Sequence, residues 1–259
     1  MKTQLKVVFI GSGNLATQLS LAMKKAGVQI LQVYSRTEAH AAELAIRLQC
    51  SWTTSTEKIR KDADLYIFAL KDSALEEAIR TIQPNNALWV HTAGSVPMDI
   101  FKGHVDRYGV LYPLQTFSKK RDVDFEHIPF ILEATSKADE DILYYLASDL
   151  SRTVRFYSSE QRRYLHLSAV FACNFTNHLY DLAGQIITEQ GIPQDLLLPL
   201  IEETAAKVRD MTPREAQTGP AVRYDQEVIR RQLELLDDPE RKELYKRLSD
   251  SIHKEFSHE

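Results

Sequence analysis

The first 37 residues constrain the fold more than any other stretch of the chain. Lys6-Val7-Val8-Phe9-Ile10 is a short apolar run rich in β-branched residues. It leads into Gly11-Ser12-Gly13-Asn14-Leu15-Ala16, then an amphipathic stretch to Lys25, Gly27 as a stop, and a second apolar run, Ile30-Leu31-Gln32-Val33-Tyr34. This order predicts strand, glycine turn, helix and strand, one βαβ unit. The glycines follow the pattern G-x-G-x-x-A, in which each small residue has its own mechanical task. Gly11 permits the tight turn, Gly13 leaves the backbone open to a pyrophosphate, and Ala16 lets helix and strand pack closely. The helix N-terminus then offers N–H groups to phosphate. Gly11, Ser12, Gly13, Asn14 and Leu15 are therefore expected to bind a dinucleotide.

The end of the second strand bears on which dinucleotide this is. An NAD-preferring unit places an acid about 20 residues beyond the glycines, on the ribose 2′-OH. Here Tyr34-Ser35-Arg36-Thr37 contains no acid, and the first is Glu38. The fork of Arg36 and the hydroxyls of Ser35 and Thr37 suit a 2′-phosphate, so NADP (NADPH) is the expected cofactor. Arg36 also reads as a solvated loop cation and Thr37 as the cap of a helix over Glu38–Leu48. The two readings are compatible.

Strand and helix signals alternate to residue 157. Strands are expected at 64–70, 87–92, 108–113, 129–133 and 153–157, and helices at 74–82 and 139–150. The fold class implied is α/β, a Rossmann-type doubly wound, mostly parallel sheet with helices on both faces. After Ser158 strand signals vanish. Residues 159–190 read as one helix closed by Gly191 and Pro193, and shorter helical stretches follow, broken near Pro213 and at Asp237-Asp238-Pro239. The expected domains are a nucleotide-binding domain over 1–157 and an all-α domain over 158–259. A chain of 259 residues accommodates both.

Lys plus Arg number 32 against 36 Asp plus Glu, a net charge of −4 without the basic surplus of a nucleic-acid binder. No apolar run approaches the roughly 20 residues needed to cross a bilayer, and the opening residues do not follow a leader pattern. Cys50 and Cys173 lie in apolar stretches and read as buried thiols, not as a disulfide or metal site. No nucleic acid, membrane or metal is expected, and the location expected is cytoplasmic.

Ligands of an open α/β sheet collect beyond the carboxyl ends of its strands, which adds Leu70, Lys71, Thr92 and Ala93 to the cofactor candidates. Ala93-Gly94-Ser95 also reads as an ordinary turn. Gln115 and Thr116, in the segment Tyr112–Ser118, offer hydrogen bonds to a small polar substrate, or form a polar loop. On the helix over 159–190, about 100° per residue puts His166 and Asn177 nearly in line, with Asn174 and His178 within a third of a turn. Leu165, Leu167, Val170, Phe171 and Cys173 surround them, so the helix is expected to be buried and its polar groups to need partners. For His178 the plainer reading is a core histidine satisfied by backbone. In Thr218-Gly219-Pro220-Ala221-Val222-Arg223-Tyr224-Asp225, Thr218 or Gly219 reads as a cap with Pro220 in the first turn. The functional reading makes Arg223 a carboxylate clamp, with Thr218 and Asp225 beside it.

Four motifs carry a resemblance over essentially the whole chain: Gly11-Ser12-Gly13-Asn14, the run L-Y-P-L-Q-T-F-S from Leu111 to Ser118, Asn174-Phe175, and T-G-P-A-V-R-Y-D from Thr218 to Asp225. Together they resemble bacterial NADP oxidoreductases that pair a Rossmann-like domain with a C-terminal helical domain of unknown function. That family is related to pyrroline-5-carboxylate reductase, ketopantoate reductase and deazaflavin-dependent NADP reductase. The resemblance implies hydride transfer between NADPH and a C=O or C=N of a small carboxylate-bearing metabolite. It places the Leu70 loop along the dinucleotide and the Thr92 loop near the nicotinamide, and it makes Asn174 a substrate ligand. One departure matters. The β-hydroxyacid dehydrogenases of the same superfamily and ketopantoate reductase carry a catalytic Lys one turn before that Asn, where this chain has Val170, and no Lys occurs between Ser159 and Gln190. The proton donor for a carbonyl must be His166, His178, Tyr112, Tyr224 or water. An imine, already protonated, needs a strong acid less, which tilts toward C=N chemistry. The rival reading is a non-catalytic NADP-binding regulatory or scaffold protein. The apolar character of the helices after Gly191 predicts a homodimer through the helical domain.

Overall fold

The computed structural model describes residues 5–257. Eight strands form one sheet: β1 (Lys6–Ile10), β2 (Gln29–Tyr34), β3 (Ser51–Thr53), β4 (Leu65–Phe68), β5 (Leu88–His91), β6 (Tyr108–Pro113), β7 (Phe130–Ala134) and β8 (Val154–Phe156). Their order is β3-β2-β1-β4-β5-β6-β7-β8. Every pairing is parallel except β6 with β7. The strand order reverses between β1 and β4, so the loops after these two strands splay apart and leave a crevice at their carboxyl ends. An antiparallel neighbour needs no helical crossover, and the segment between Pro113 and Phe130 accordingly carries only the 3₁₀ turn Phe125–His127.

Helices α1 (Asn14–Lys25), α2 (Glu38–Leu48), α3 (Asp72–Thr81) and α4 (Lys137–Ser148) cover the sheet. The central strands β1, β4, β5 and β6 are buried on both faces, and alternate residues of β1 divide between two cores. Val7 and Phe9 pack with Leu19, Met23 and Leu44 on one face. Val8 and Ile10 pack with Tyr66, Phe68, Trp89 and Phe101 on the other. This is why the strands read as continuous apolar runs without polar alternation. The α/β, Rossmann-type expectation holds. The short edge strand β3, paired to β2 alone, escaped the sequence pattern.

The chain divides into two units, Met1–Thr176 and Asn177–Glu259, where the sequence pattern placed a break at Tyr157/Ser158. Helical structure does begin there, with α5 (Ser159–Ala169). But the first turn of α5 is bonded to the sheet. The Glu133 carboxylate on β7 accepts from Ser159 N–H (2.9 Å), Ser159 Oγ (2.7 Å) and Arg162 Nη1 (2.5 Å). Arg162, fully buried, also donates to the Val96 carbonyl (2.6 Å).

The expected single helix over 159–190 is interrupted. Residues Val170–Phe175 form a π-helix before α6 (Thr176–Thr188). A π segment widens the turn to i→i+5 bonds, so the 100° projection relating His166 to residues 174–178 does not carry through it. Nor is the helix buried: Leu167, Phe171, Phe175 and Asn174 are exposed. Leu165, by contrast, packs against Val110, Tyr112 and Ile131 of the sheet. The two thiols are half-buried, not buried, and burial raises the Cys50 pKa to about 11.

The second unit continues with a 3₁₀ turn (Gln194–Leu197), α7 (Leu198–Lys207), α8 (Pro213–Ala216), α9 (Gln226–Glu234) and α10 (Pro239–Phe256). Its described residues include three buried ones, Gly184, Ala221 and Ser249. Polar links join its helices: Arg241 donates to Glu189 (3.0 Å) and Gln185 (2.8 Å), and Tyr245 to Gln232 (2.5 Å).

Candidate active site

The loops after β1, β2 and β4 enclose a cavity of about 500 Å³. The glycine turn forms its floor. Gly11 has φ +122°, a left-handed conformation natural only to glycine, and a Cβ there would lie 2.3 Å from the Ala69 carbonyl. A Cβ on Gly13 would meet nothing within 4 Å, so this position faces open space. Gly13 is also the N-cap of α1, and neither a side-chain cap nor a first-turn acid competes for the free N–H groups. The turn is tied to β2 by Gly11 N–H to Tyr34 C=O (2.8 Å) and Ser12 Oγ to Ser35 Oγ (2.9 Å). An open backbone cradle at a helix N-terminus, walled by Ser35, Arg36 and Thr37, fits the diphosphate and ribose phosphate of a dinucleotide. Arg36 is mostly exposed and only loosely paired, 4.0 Å from Glu77. Thr37 occupies the N-cap position of α2 without a side-chain cap bond, so its hydroxyl is not committed to the helix.

Of the expected cofactor residues, Gly11, Ser12, Gly13, Ser35, Arg36, Thr37, Leu70 and Lys71 line this cavity. Asn14 and Leu15 sit just behind the turn, in the first turn of α1, and do not line it. Thr92 is buried, with its N–H and Oγ1 directed at the Phe68 carbonyl. Ala93 likewise lies outside the cavity wall. His40, Thr56 and Lys119 do line it and were not singled out in the sequence. His40 lies in the first turn of α2, directly after Arg36 and the N-cap Thr37, a position that could have revealed it.

A second constellation forms at the ends of β5 and β6. Tyr112 Oη lies 3.0 Å from His166 Nδ1, the rings meeting edge-on at 73°. The imidazole rests directly on Gly94: a Cβ there would come within 2.5 Å of Nδ1. Gly94 is thus the packing surface for His166, which separates it from an ordinary turn residue. Burial raises the Tyr112 pKa above the usual phenol value, and the nearby Arg162 charge partly offsets this. The loop bearing Gly94 is set by His91, a fully buried residue the sequence did not mark. His91 Nδ1 accepts from Ala93 N–H (3.2 Å), Nε2 faces the Pro97 carbonyl (3.4 Å), and the ring stacks on Phe101. Burial, with the Arg162 charge, lowers its pKa to about 3 against the raising effect of the Pro97 carbonyl. His91 is therefore neutral, which fixes Nδ1 as acceptor and Nε2 as donor.

A cavity of about 400 Å³ has His166 in its wall with Ser95, Glu160, Arg163, Tyr164, Leu167 and Val170. Thr116 touches Cys173, next to Asn174, at 4.0 Å. The Gln115 side chain is turned back to the Thr116 N–H (2.8 Å). The structure thus brings His166, Tyr112 and the Gly94 loop together, with Thr116 and Asn174 on the same unit. His178 and the Thr218–Asp225 stretch belong to the second unit. His178, Thr218 and Arg223 are exposed there, so the core-histidine reading of His178 does not hold. No helix starts at Pro220. Asp225 is the cap, accepting from Val228 N–H (3.1 Å) at the head of α9, in place of Thr218 or Gly219.

Residues 6–92 match the family described as NADP oxidoreductase coenzyme F420-dependent, and residues 128–252 match a domain of unknown function, DUF2520. A crystal structure from Bacteroides fragilis, provisionally named an NADP oxidoreductase, is 51% identical, covering 97% of this chain and 98% of its own, with a TM-score of 0.93. The chain belongs to this NADP oxidoreductase family. It is an NADP-dependent oxidoreductase whose substrate the family does not specify. The reading as a non-catalytic NADP-binding scaffold gives way to that membership. Two distant structures share the fold. A 1-pyrroline-5-carboxylate reductase from Streptococcus pyogenes is 13% identical (97% of this chain, 99% of its own, TM-score 0.65). An imine reductase from Myxococcus stipitatus, solved with NADP+, is 15% identical (98% and 93%, TM-score 0.65). No curated protein matches the chain. Among the described residues, no helix is long and apolar enough to cross a membrane.

Proposed function

We propose that this chain reduces a C=O or C=N bond of a small carboxylate-bearing metabolite, with Tyr112 and His166 delivering the proton. When bound, NADPH supplies the hydride. The glycine turn, Ser35, Arg36, Thr37, Leu70 and Lys71 hold it in the larger cavity. The observation that carries the proton assignment is the 3.0 Å contact between Tyr112 Oη and His166 Nδ1 on the floor made by Gly94. Burial keeps Tyr112 a protonated phenol at neutral pH. His166, with one nitrogen on the phenol, can relay a proton between Tyr112 and the smaller cavity. The pair supplies the acid that Val170 cannot, so a carbonyl is as admissible a substrate as an imine. Arg163 in the same wall offers a cation to the carboxylate, and Asn174, by the family resemblance, contributes an amide.

We also infer a homodimer through the helical unit. Leu196, Leu198, Leu200 and Leu235 are more than half exposed in the single chain, and the closely spaced leucines around the start of α7 support an apolar contact with a second copy.

The test is NADPH oxidation over a panel of oxo and imino acids, with Tyr112→Phe, His166→Ala and Asn174→Ala. Removing a general acid lowers kcat about 10²–10⁴-fold, while NADPH affinity measured by calorimetry should persist. If Tyr112→Phe lowers turnover of oxo acids only, the phenol serves as the acid for C=O and an imine is reduced without it. Unchanged kcat in Tyr112→Phe and His166→Ala, or no turnover on any panel member, would remove the assignment.

A further inference from the structure

We infer that Lys119 is a second cation for the 2′-phosphate of NADP, carried into the cofactor cavity by a strap that Gln18 clamps to α1. This deepens the reading of the larger cavity as the NADP site and rests on it.

Lys119 belongs to the connection between β6 and β7, more than 80 positions along the chain from Arg36, yet it lines the same cavity as Arg36 and the glycine turn. Two features fix it there. The Gln18 side chain, nearly buried on α1, donates through one nitrogen to two carbonyls that bracket Lys119, those of Ser118 (2.7 Å) and Arg121 (3.0 Å). Immediately upstream, Phe117 stacks on Phe125 at 5.7 Å and 22°. A connection with no helix of its own is thereby anchored on both sides of the lysine. A solvated surface cation needs no such anchoring.

The electrostatics point the same way. Lys119 Nζ is 3.7 Å from Glu43 of α2, with a side chain only 29% exposed. Arg36 stands 4.0 Å from Glu77. Both are loose pairs with exposed acids, and such pairs contribute little. Each cation can therefore turn to a better anion. A phosphate monoester, close to doubly charged at neutral pH and bearing three acceptor oxygens, is such an anion. Arg36 presents a planar fork, Lys119 a point charge from the α2 side, and His40 and Thr37 complete the wall. Diphosphate recognition, by contrast, is already provided by the backbone N–H groups of the glycine turn. Lys119 should therefore discriminate NADPH from NADH and not strengthen both.

The experiment is calorimetric titration of the full chain with NADPH, NADH, adenosine 2′,5′-bisphosphate and AMP, on wild type, Lys119→Met, Lys119→Arg and Gln18→Leu. Losing one charge-assisted contact should weaken NADPH and the bisphosphate about tenfold, with NADH and AMP changed less than about twofold. Lys119→Arg should restore binding. Gln18→Leu should reproduce the selective loss with the lysine intact, a result that a merely structural glutamine would not give. An equal loss for NADPH and NADH, or no loss in Lys119→Met while wild type prefers NADPH, would overturn the role of Lys119. Wild type binding neither nucleotide would instead remove the cavity assignment and the inference with it.

Discussion

The two units of this chain are stabilised by different means. In the first, Val7, Val8, Phe9 and Ile10 are wholly excluded from water, as are Leu65, Ile67, Leu88, Trp89 and Val90. At about 25 cal/mol per Å² of apolar surface, burial of these strands is the main stabilising contribution in the sheet unit. The second unit buries only Gly184, Ala221 and Ser249 among its described residues. Its helices are held by good caps and polar links. Thr212 and Glu215 form a capping box, Asp238 caps α10, and Arg241 spans to Glu189 and Gln185. Surface polar contacts of this kind give a few tenths to about one kcal/mol each. The cofactor cavity is lined wholly by residues of the sheet unit, whereas the homodimer proposed above would give the helical unit its cover from a second copy.

The largest expected effect tests that contrast directly. Leu196 and Leu200, i and i+4 around the start of α7, are 67% and 64% exposed. If they sit in a dimer interface, a glutamate at both positions strands unpaired charge there, at several kcal/mol. Leu196→Glu/Leu200→Glu should raise the dimer dissociation constant at least about a hundredfold. Sedimentation would then show a species near 29.7 kDa in place of one at twice that mass. The sheet unit should keep its NADPH affinity. A wild-type chain sedimenting as a monomer would remove the dimer, and a variant that dimerises as before would remove these leucines from its interface.

A smaller effect should be confined to the sheet unit. The His91 pKa is about 3 in the folded chain and about 6.5 unfolded. The unfolded state therefore takes up the proton first as pH falls. The neutral ring contributes fully above about pH 6.5, and its contribution is lost as pH drops toward 3, at about 1.4 kcal/mol per unit. Between pH 6.5 and 5 the wild type should lose about 2 kcal/mol more than His91→Gln in urea unfolding. Parallel slopes for the two proteins would show that the imidazole is not the source.

What the sequence disclosed follows from how local each feature is. The ends of β1, β6, α1 and α2 coincide with the expected ones, because glycine turns, Tyr34-Ser35 and Pro113 punctuate them within a few residues. The π segment at Val170–Phe175 left no trace in the pattern, since apolar residues surround it on every side. The Glu133–Arg162 pair, the clamp of Gln18 on the strap and the His91 loop all join residues distant in sequence, and no periodicity encodes them. Val170 was legible as a missing lysine. The compensating contact of Tyr112 with His166 required the fold, although both residues were already candidates. For Asp225 the sequence offered a ligand role where the structure shows a cap.

Asp225 carries the smallest predicted effect, and it asks whether the helical unit contributes chemistry or only surface. The carboxylate accepts from Val228 N–H at 3.1 Å, at the position where N-caps are strongest in Asp and Asn. If that is its whole task, Asp225→Ala should destabilise the protein by about 1 kcal/mol. Asp225→Asn, whose amide oxygen caps equally well, should keep both stability and turnover. A substrate-orienting carboxylate would behave otherwise, because the amide removes the charge while preserving the cap. Loss of turnover tenfold or more in Asp225→Asn, at unchanged urea midpoint, would assign chemistry to the second unit. Unchanged turnover would leave the reacting groups with the sheet unit and make the Thr218–Asp225 stretch a structural corner.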